Sequence, residues 1–256
     1  MLNAEDIATS LTLDQLVGDR THLNRIASDW EKCEEVPRTS TAAEVTVSMY
    51  LRESEGGSRS VVKFPDLSGE SFSRQISHRT CERAYVEGLE GSGGILLFIT
   101  ANRVQDDVTI VDAASMYEGD KNSVESTEPV GWSPKMIPAQ VQLVDLLQFL
   151  DHPPFRRGQR RVAVIVSAWD VVAEPKPRPD AWVQREMPLL HQYLMSNINV
   201  LESQVYGVSA QGGDVHSAAD KENLLKLTPS KRIACVSVNG SSHDLSGPIH
   251  WLMKGG

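Results

Sequence analysis

The chain has 256 residues, of which 40% are hydrophobic and 23% are charged, and it carries a formal net charge of −9. This length and hydrophobic content suffice for one domain with a substantial core. The acidic balance argues against a nucleic-acid backbone or an anionic membrane as the main partner. No run of about 18 apolar residues is present, so no transmembrane helix is expected.

The N-terminus and the cysteines both indicate a reducing compartment. The first residues, MLNAEDIATSLTLDQL, are acidic and lack a basic start followed by an apolar run, so they do not form a secretory signal. Cys33, Cys81 and Cys235 are odd in number and far apart, which is typical of free thiols and not of a disulfide or zinc framework. We therefore expect a cytoplasmic protein.

The first ninety residues predict a helix, a hairpin and a second helix. Residues 5–30 carry apolar side chains at helical spacing, whereas EVTVSMYLR alternates as a half-buried strand does. ESEGGS is a turn between two runs of strand character, which predicts a β-hairpin. The predicted elements are a helix over 5–30, strands Glu44–Arg52 and Ser60–Phe64, and a helix over Ser71–Leu89.

The rest of the chain predicts buried strands that alternate with helices. GGILLFITA and RVAVIVSAWD are uninterrupted apolar runs, as strands buried on both faces should be. The predicted strands are Gly93–Ala101, Arg161–Asp170, Gln204–Gly213 with its turn, and Ile233–Val238; the predicted helices are Ala139–Leu150 and Asp180–Asn197. Residues 102–138 are predicted to form a surface insertion, and PFRRGQRR a solvated loop.

This alternation predicts an α/β fold. We expect a single domain over residues 1–256, in which helices on both faces make three layers with a mostly parallel sheet. The antiparallel hairpin would lie at one edge of that sheet.

Polar residues follow the predicted strand Ser60–Phe64. Asp66 can hold Mg²⁺ through water, because this ion keeps most of its hydration shell. Gly69 can bring a backbone N–H close to a terminal phosphate oxygen, and Glu70 would lie beside an attacking water. Asp, Ser and Gly are also common in ordinary turns at strand ends, so this motif alone does not decide between the two.

Two further strands end in candidate binding residues. Asp170, at the end of SAWD, can accept two hydrogen bonds from the N1 and N2 edge of guanine, although an acid there is equally consistent with a helix N-cap. The turn that contains Ser209 and Ala210 can offer backbone N–H groups to a base carbonyl. Ligands bind beyond the carboxyl ends of the strands in open α/β sheets, so these residues are predicted to share one site.

The order of these motifs resembles that of the guanine-nucleotide-binding P-loop GTPases. Six blocks extend the similarity over nearly the whole chain: LVGDRTHLNRI, RTST with EVTVSMYL, PDLSGESF, QVQLVDLLQFL, VIVSAWD and VYGVSAQGGD. They are similar to the double-GTPase family (first type), a bacterial family of the TRAFAC branch that is often encoded in predicted conflict or defence operons. The resemblance implies a nucleotide-dependent switch that binds GTP with Mg²⁺ and hydrolyses GTP.

The resemblance also implies roles for individual residues. Thr39 or Thr41 would be the metal-sensing threonine of the first switch loop, with Thr41 joining Asp66 at Mg²⁺. Gly69 would sense the γ-phosphate, and Glu70 stands where Ras-like members carry the water-orienting glutamine. The base would be contacted by Asp170, Ser209 and Ala210.

Two departures from the family pattern bear on this assignment. Ser167 stands where asparagine is usual and Ala168 where a lysine is usual, which leaves guanine against adenine preference open. No G-x-x-x-x-G-K-[ST] phosphate loop is found: GLEGSGG lacks the Lys-Ser/Thr pair, and EGDKNS lacks the glycine loop.

The first strand and phosphate loop are therefore expected to be missing from this polypeptide, through a truncated gene start, which we favour, or a natural loss. The missing strand would lie between Ser60–Phe64 and Ile95–Thr100, so these strands either pair directly or receive a segment from another chain. We expect this chain alone to bind GTP weakly or not at all.

Two other functions are consistent with the residues. A degenerate, non-catalytic GTPase-like scaffold would bind a protein partner encoded beside it, and the lack of a phosphate loop favours this alternative. A phosphohydrolase with Asp66 as nucleophile is less favoured, because Ser68 stands where a second aspartate would be needed.

Overall fold

The computed structural model describes residues 6–17, 20–35, 46–55, 57–65, 75–89, 94–101, 137–155, 157–172 and 174–254. The strands are β1 Leu11–Val17, β2 Thr46–Glu53, β3 Arg59–Pro65, β4 Gly94–Thr100, β5 Arg160–Ser167, β6 Leu201–Ser209, β7 Ala234–Ser237 and β8 Gly240–Ser242. The helices are α1 Arg20–Glu31, α2 Arg83–Leu89, α3 Ala139–Phe149, α4 Pro179–Glu186, α5 Pro188–Ser196, α6 Ala218–Leu225, α7 Pro229–Arg232 and α8 Gly247–Met253.

The predicted α/β fold is confirmed by a five-stranded mixed sheet of order β4-β5-β6-β7-β8. Its first three strands are parallel, and β7 and β8 are antiparallel additions. Strand β5 is buried on both faces. Val162, Val164 and Val166 pack with α3, α4 and α5, whereas Ala163 and Ile165 pack with α8. These helices on opposite faces make the predicted three layers around this sheet.

The predicted hairpin is confirmed by antiparallel pairing of β2 with β3. Its predicted place at the edge of the parallel sheet is wrong, because it belongs to a separate three-stranded sheet of order β1-β2-β3. The prediction of one helix over residues 5–30 is wrong for its first half, because Leu11–Val17 is the strand β1. A β-bulge between Leu13 and Gln15 lets Leu13 lie opposite Leu51 and Leu16 opposite Met49. Because the bulge adds one residue, the apolar side chains of Leu13 and Leu16 are three residues apart, a spacing that is also found on one face of a helix.

Two predicted helices are shorter than expected. The helix predicted over Asp180–Asn197 is two helices, which meet at Met187. Pro188 is the first residue of α5, since proline has no N–H to continue α4. The helix predicted over Ser71–Leu89 is interrupted at Arg79, whose φ is 55°, and α2 begins only at Arg83. Residues 71–74 lie outside the described residues.

The basic segment PFRRGQRR is not a solvated loop throughout. Arg160 and Arg161 begin strand β5. Arg160 is buried and donates to the carbonyl of Leu150 at 3.3 Å. Arg161 forms a two-pronged ion pair with Glu202 at 2.7 and 3.0 Å. The predicted loop was wrong at these positions because both side chains have partners that are distant in sequence.

Hydrogen bonds join the two sheets. The N–H and hydroxyl of Ser10 donate to Asp244 at 2.9 and 2.8 Å, and the N–H of Leu11 donates to the hydroxyl of Ser246 at 3.0 Å. These contacts place the start of β1 against the segment before α8.

Within the described residues, no helix is both long and apolar enough to cross a membrane. Of the predicted surface insertion, residues 102–136 lie outside the described residues.

Candidate functional site

The carboxyl ends of β4, β5 and β6 meet at one edge of the five-stranded sheet. Thr100 lies opposite Ser167, and Ser167 lies opposite Val208, so the loops after these strands leave the sheet side by side. We call residues 167–170 and 209–213 the carboxyl edge. Ligands bind at this kind of edge in open α/β sheets, because loops of neighbouring strands diverge there and leave a crevice.

Two of the predicted site residues are in direct contact at the carboxyl edge. The Ser209 hydroxyl donates a hydrogen bond of 2.6 Å to Oδ1 of Asp170. The same hydroxyl accepts one of 3.0 Å from the N–H of Gly212. Ser209 is buried, whereas Asp170 is half-buried. One hydroxyl thus orients the Asp170 carboxylate relative to the turn after β6. Asp170 lies in a short 3-10 helix, Trp169–Val171, and not at the end of a strand as predicted.

Trp169 anchors this short helix to the sheet. Its side chain is 2% exposed and packs on Gly207 of β6. A Cβ at Gly207 would come 2.4 Å from the Trp169 ring, so no other residue type fits this position without displacement. Trp182 of α4 contacts the other side of Trp169 edge-on, with 6.2 Å between ring centroids. Sequence reasoning missed this anchor, although a glycine inside an apolar strand signals such a close approach.

The two residues that depart from the family pattern occupy the start of the same loop. The Ser167 hydroxyl donates to the carbonyl of Ile99 at 3.0 Å and lies 3.3 Å from the hydroxyl of Thr100, which ties β5 to β4. Ala168 has a left-handed backbone with φ 54°, a conformation that costs energy for a residue with a Cβ. Its methyl group provides none of the aliphatic surface that a lysine stem would offer to a base.

Trp30, in the last turn of α1, borders the carboxyl edge from a third side. Its indole N–H donates to the carbonyl of Ala210 at 2.9 Å. The Gln211 side-chain amide donates in return to the carbonyl of Trp30 at 3.3 Å. Sequence analysis did not assign a role to Trp30. A tryptophan in the last turn of a mostly polar helix is a signal that could have found it, because its N–H needs an acceptor when it packs.

Arg232, the last residue of α7, joins the end of α1 to this region. Its side chain is 6% exposed. Nη1 donates to the carbonyls of Glu31 and Trp30 at 3.0 and 3.4 Å, and lies 3.0 Å from Sγ of Cys33. The guanidinium carbon lies 5.8 Å from the centroid of the Trp30 ring. The sequence alone gave no signal for this residue.

The predicted phosphate and metal residues cannot be placed. Thr39, Thr41, Asp66, Gly69 and Glu70 lie outside the described residues. Among the described residues, no group of three or more potential metal ligands is found.

The cysteines are free thiols, as predicted. Burial raises the pKa of Cys235 to about 11, and the nearby Asp244 carboxylate adds to the shift. Burial also raises the pKa of Cys81. These shifts favour the protonated thiol, which is a poorer nucleophile than the thiolate.

Comparison with known proteins assigns the family. The family model described as Double-GTPase 1 matches residues 1–252. Comparison with curated proteins and with solved structures finds no match. The family match spans β1 to α8 and includes the carboxyl edge with Asp170, Ser209 and Trp30. The chain therefore belongs to the Double-GTPase 1 family.

Proposed function

We propose that this chain is a nucleotide-dependent switch whose carboxyl edge binds the guanine base of GTP. The contact between Ser209 and Asp170 carries the proposal. An Asp170 carboxylate held by this hydroxyl can accept hydrogen bonds from N1–H and the N2 amino group of guanine. The backbone N–H of Ala210, in the turn after β6, is the proposed donor to the guanine carbonyl. Trp30 is the proposed wall on the α1 side.

The phosphate end of the site is proposed from the family resemblance alone. Asp66 with Thr41 or Thr39 would hold Mg²⁺, which when bound neutralises the charge that develops on the phosphates. Gly69 would donate its N–H to the γ-phosphate, and Glu70 would position water. With a phosphate loop supplied, this arrangement would hydrolyse GTP, and a role in bacterial conflict or defence in the cytoplasm is part of the same proposal.

We also propose that these 256 residues bind GTP weakly by themselves. They contain no G-x-x-x-x-G-K-[ST] segment, which in P-loop GTPases supplies most donors to the β- and γ-phosphates. A fluorescent GTP analogue titrated with Mg²⁺ is expected to show no saturation in the micromolar range. Micromolar affinity would contradict this part of the proposal.

The base contact is tested with Asp170→Asn. An amide presents a donor where the carboxylate accepts, so we expect weaker binding of guanosine nucleotides and a relative gain for xanthosine nucleotides, which carry a carbonyl at position 2. The ratio of the two affinities should change by about tenfold or more, since hydrogen bonds to a charged group are involved. The affinities are measured by NMR titration up to millimolar nucleotide, where weak binding is still visible.

Asp145→Asn is the matched control. Asp145 lies on α3 and pairs with Arg79 at 2.7 Å on the protein surface, so its neutralisation changes net charge by the same amount without touching the carboxyl edge. If the ratio of guanosine to xanthosine nucleotide affinity is the same in Asp170→Asn as in Asp145→Asn, the proposed base contact is contradicted.

A second candidate function is a non-catalytic scaffold for a protein partner. Phe98 supports it: this side chain lies in β4 between the buried residues Leu97 and Ile99, yet it is 57% exposed. Contiguous apolar patches mark protein–protein contact sites, and under this second function Phe98 would belong to such a patch. No shift of any resonance at the carboxyl edge with millimolar guanosine nucleotide would favour the scaffold over the switch.

A further inference from the structure

We propose that Arg232 is the positioning residue for the base site, holding the end of α1 and the turn after β6 in one arrangement. This inference rests on the proposed function of the carboxyl edge. Arg232 does not touch the proposed base position; it acts through Trp30 and through Gly212. The geometry of four acceptors around one buried guanidinium points to this role.

The acceptors come from two segments that are separate in sequence. Nη1 donates to the carbonyls of Trp30 and Glu31 and contacts Sγ of Cys33, all at the end of α1. Nη2 donates to the carbonyl of Leu227, just after α6. A cation at the C-terminal carbonyls of a helix is favourable, because those carbonyls have no partner within the helix and carry partial negative charge. The planar fork of arginine serves several acceptors at once, which a lysine cannot do.

The backbone of Arg232 lies against the turn after β6. Gly212 has φ 90°, and an added Cβ there would come 2.5 Å from the carbonyl oxygen of Arg232. The N–H of Gly212 donates to Ser209, whose hydroxyl orients Asp170. The backbone of Arg232 thus contacts Gly212, from which hydrogen bonds lead through Ser209 to the proposed base acceptor Asp170. The side chain of Arg232 contacts Trp30.

Burial of the Arg232 charge carries a free-energy cost that opposes its favourable contact with the end of α1. Among the described residues, Arg232 has no ion pair, and its Nε has no hydrogen-bond partner although it is buried. A buried cation without a carboxylate carries a desolvation cost that an apolar side chain of similar size would avoid. Under the proposal, the guanidinium fork is the group that links the end of α1 to the segment after α6.

The indole N–H of Trp30 provides a direct readout. The chain has five tryptophans, so a ¹⁵N–¹H spectrum shows few indole resonances, and Trp30→Phe identifies the one from Trp30. Without nucleotide, Arg232→Met should make hydrogen exchange at this indole about tenfold faster, the factor expected for the loss of one hydrogen bond. Arg232→Lys keeps the charge but not the fork and should give a smaller increase; it also serves if Arg232→Met does not fold.

Arg160→Met is the matched control. Arg160 is also a buried arginine that donates to a backbone carbonyl, but it lies at the opposite end of β5. Its substitution should lower global stability and leave Trp30 exchange unchanged when measured under native conditions. Unchanged Trp30 exchange in both Arg232 variants would overturn the proposal. Equal acceleration in Arg160→Met would also overturn it, because general destabilisation would then explain the effect.

Titration with guanosine monophosphate separates this inference from the proposed function. If the wild-type chain binds the base, the Trp30 resonance should shift, and Arg232→Lys should require about tenfold more nucleotide for the same shift. Arg160→Met should follow the wild-type curve. Coinciding curves for Arg232→Lys and wild type would overturn the positioning role. No shift in the wild-type chain would contradict the proposed function, while the exchange measurements without nucleotide would still decide the role of Arg232.

Discussion

The five-stranded and three-stranded sheets of this chain are stabilised in different ways. Strand β5 is buried on both faces by helices, and Val162, Val164 and Val166 are 0% exposed. In the three-stranded sheet, by contrast, the paired residues Tyr50 and Val61 share a face and are 39% and 42% exposed. Its buried face contains Leu11 and Leu51, both 0% exposed.

This difference separates the two ends of the proposed nucleotide site. The base end stands on a rigid core, with Trp169 wedged between β6 and α4. The strands β2 and β3 lead to the segments that carry Thr41 and Asp66, and they belong to the sheet that is tethered to the rest by hydrogen bonds. The comparison predicts that substitutions at the base end lower the free energy of unfolding the most. Substitutions in the tether, the hydrogen bonds of Ser10 and Leu11 with Asp244 and Ser246, should destabilise mainly the three-stranded sheet.

The largest effect is expected for Trp169→Ala. Removal of this buried ring leaves a cavity between Gly207 and Trp182, and should lower the free energy of unfolding by about 3–5 kcal/mol. Urea denaturation measures the change. Tyr50→Ala, on the exposed face of β2, should cost far less; a similar loss in both variants would contradict the difference between the two sheets.

Gly207→Ala should have the next largest effect. Its Cβ would overlap the Trp169 ring at 2.4 Å, and overpacking of this kind costs about 1–3 kcal/mol. Near-ultraviolet circular dichroism should report the displaced tryptophan along with the loss of stability. Gly88→Ala in α2 is the control, since nothing lies within 4 Å of its added Cβ; it should be neutral or slightly stabilising.

Ser246→Ala tests the tether between the sheets. Ser246 is fully buried, accepts from Leu11 N–H and donates to Asp244. Its loss leaves the Leu11 N–H without that acceptor, at a cost of about 1–3 kcal/mol. Hydrogen exchange should accelerate in β1 and β2 but not in β5. Ser241→Ala, on exposed β8, should change neither; uniform acceleration over both sheets would show that they unfold as one unit.

The smallest effect is expected for acid titration of the contact between Glu53 and His250. The hydrogen bond from His250, 2.7 Å from the Glu53 carboxylate, lowers the pKa of Glu53 below its usual 4.5. A carboxylate with a lowered folded-state pKa stabilises the fold above its unfolded-state pKa, and this contribution is lost as the pH falls through the folded-state value. Wild type should therefore lose more stability than Glu53→Gln between pH 6 and pH 3. Parallel melting curves over this range would show that the contact contributes nothing.

Much of the fold could be predicted because most of the strands carry their own signal. The apolar runs of β4 and β5 and the alternation of β2 are local patterns, and ESEGGS connects the hairpin as expected. The strand β1 could not be predicted, because its bulge produces a spacing that a helix also has. Pro188 signalled the break between the two helices at Met187. The continuous apolar pattern on both sides of it nevertheless led to the prediction of one helix.

The candidate site was predicted in part. Asp170 and Ser209 were placed together because the carboxyl ends of parallel strands share an edge, and the structure brings them into contact. Trp30 carried only the signal of a tryptophan in a mostly polar helix, and Arg232 carried none. Their acceptors include the backbone carbonyls of Ala210 and Glu31, and any residue type can supply a carbonyl.

The sequence by itself determined the family, the α/β class and the pair of polar residues at the carboxyl edge, since these depend on local composition and on order along the chain. The tertiary structure alone decided that the Trp169 ring packs on Gly207, that β1 pairs with the hairpin, and that Arg232 donates hydrogen bonds to the carbonyls at the end of α1. These contacts join residues distant in sequence, and their geometry depends on how the elements pack, which no local pattern records.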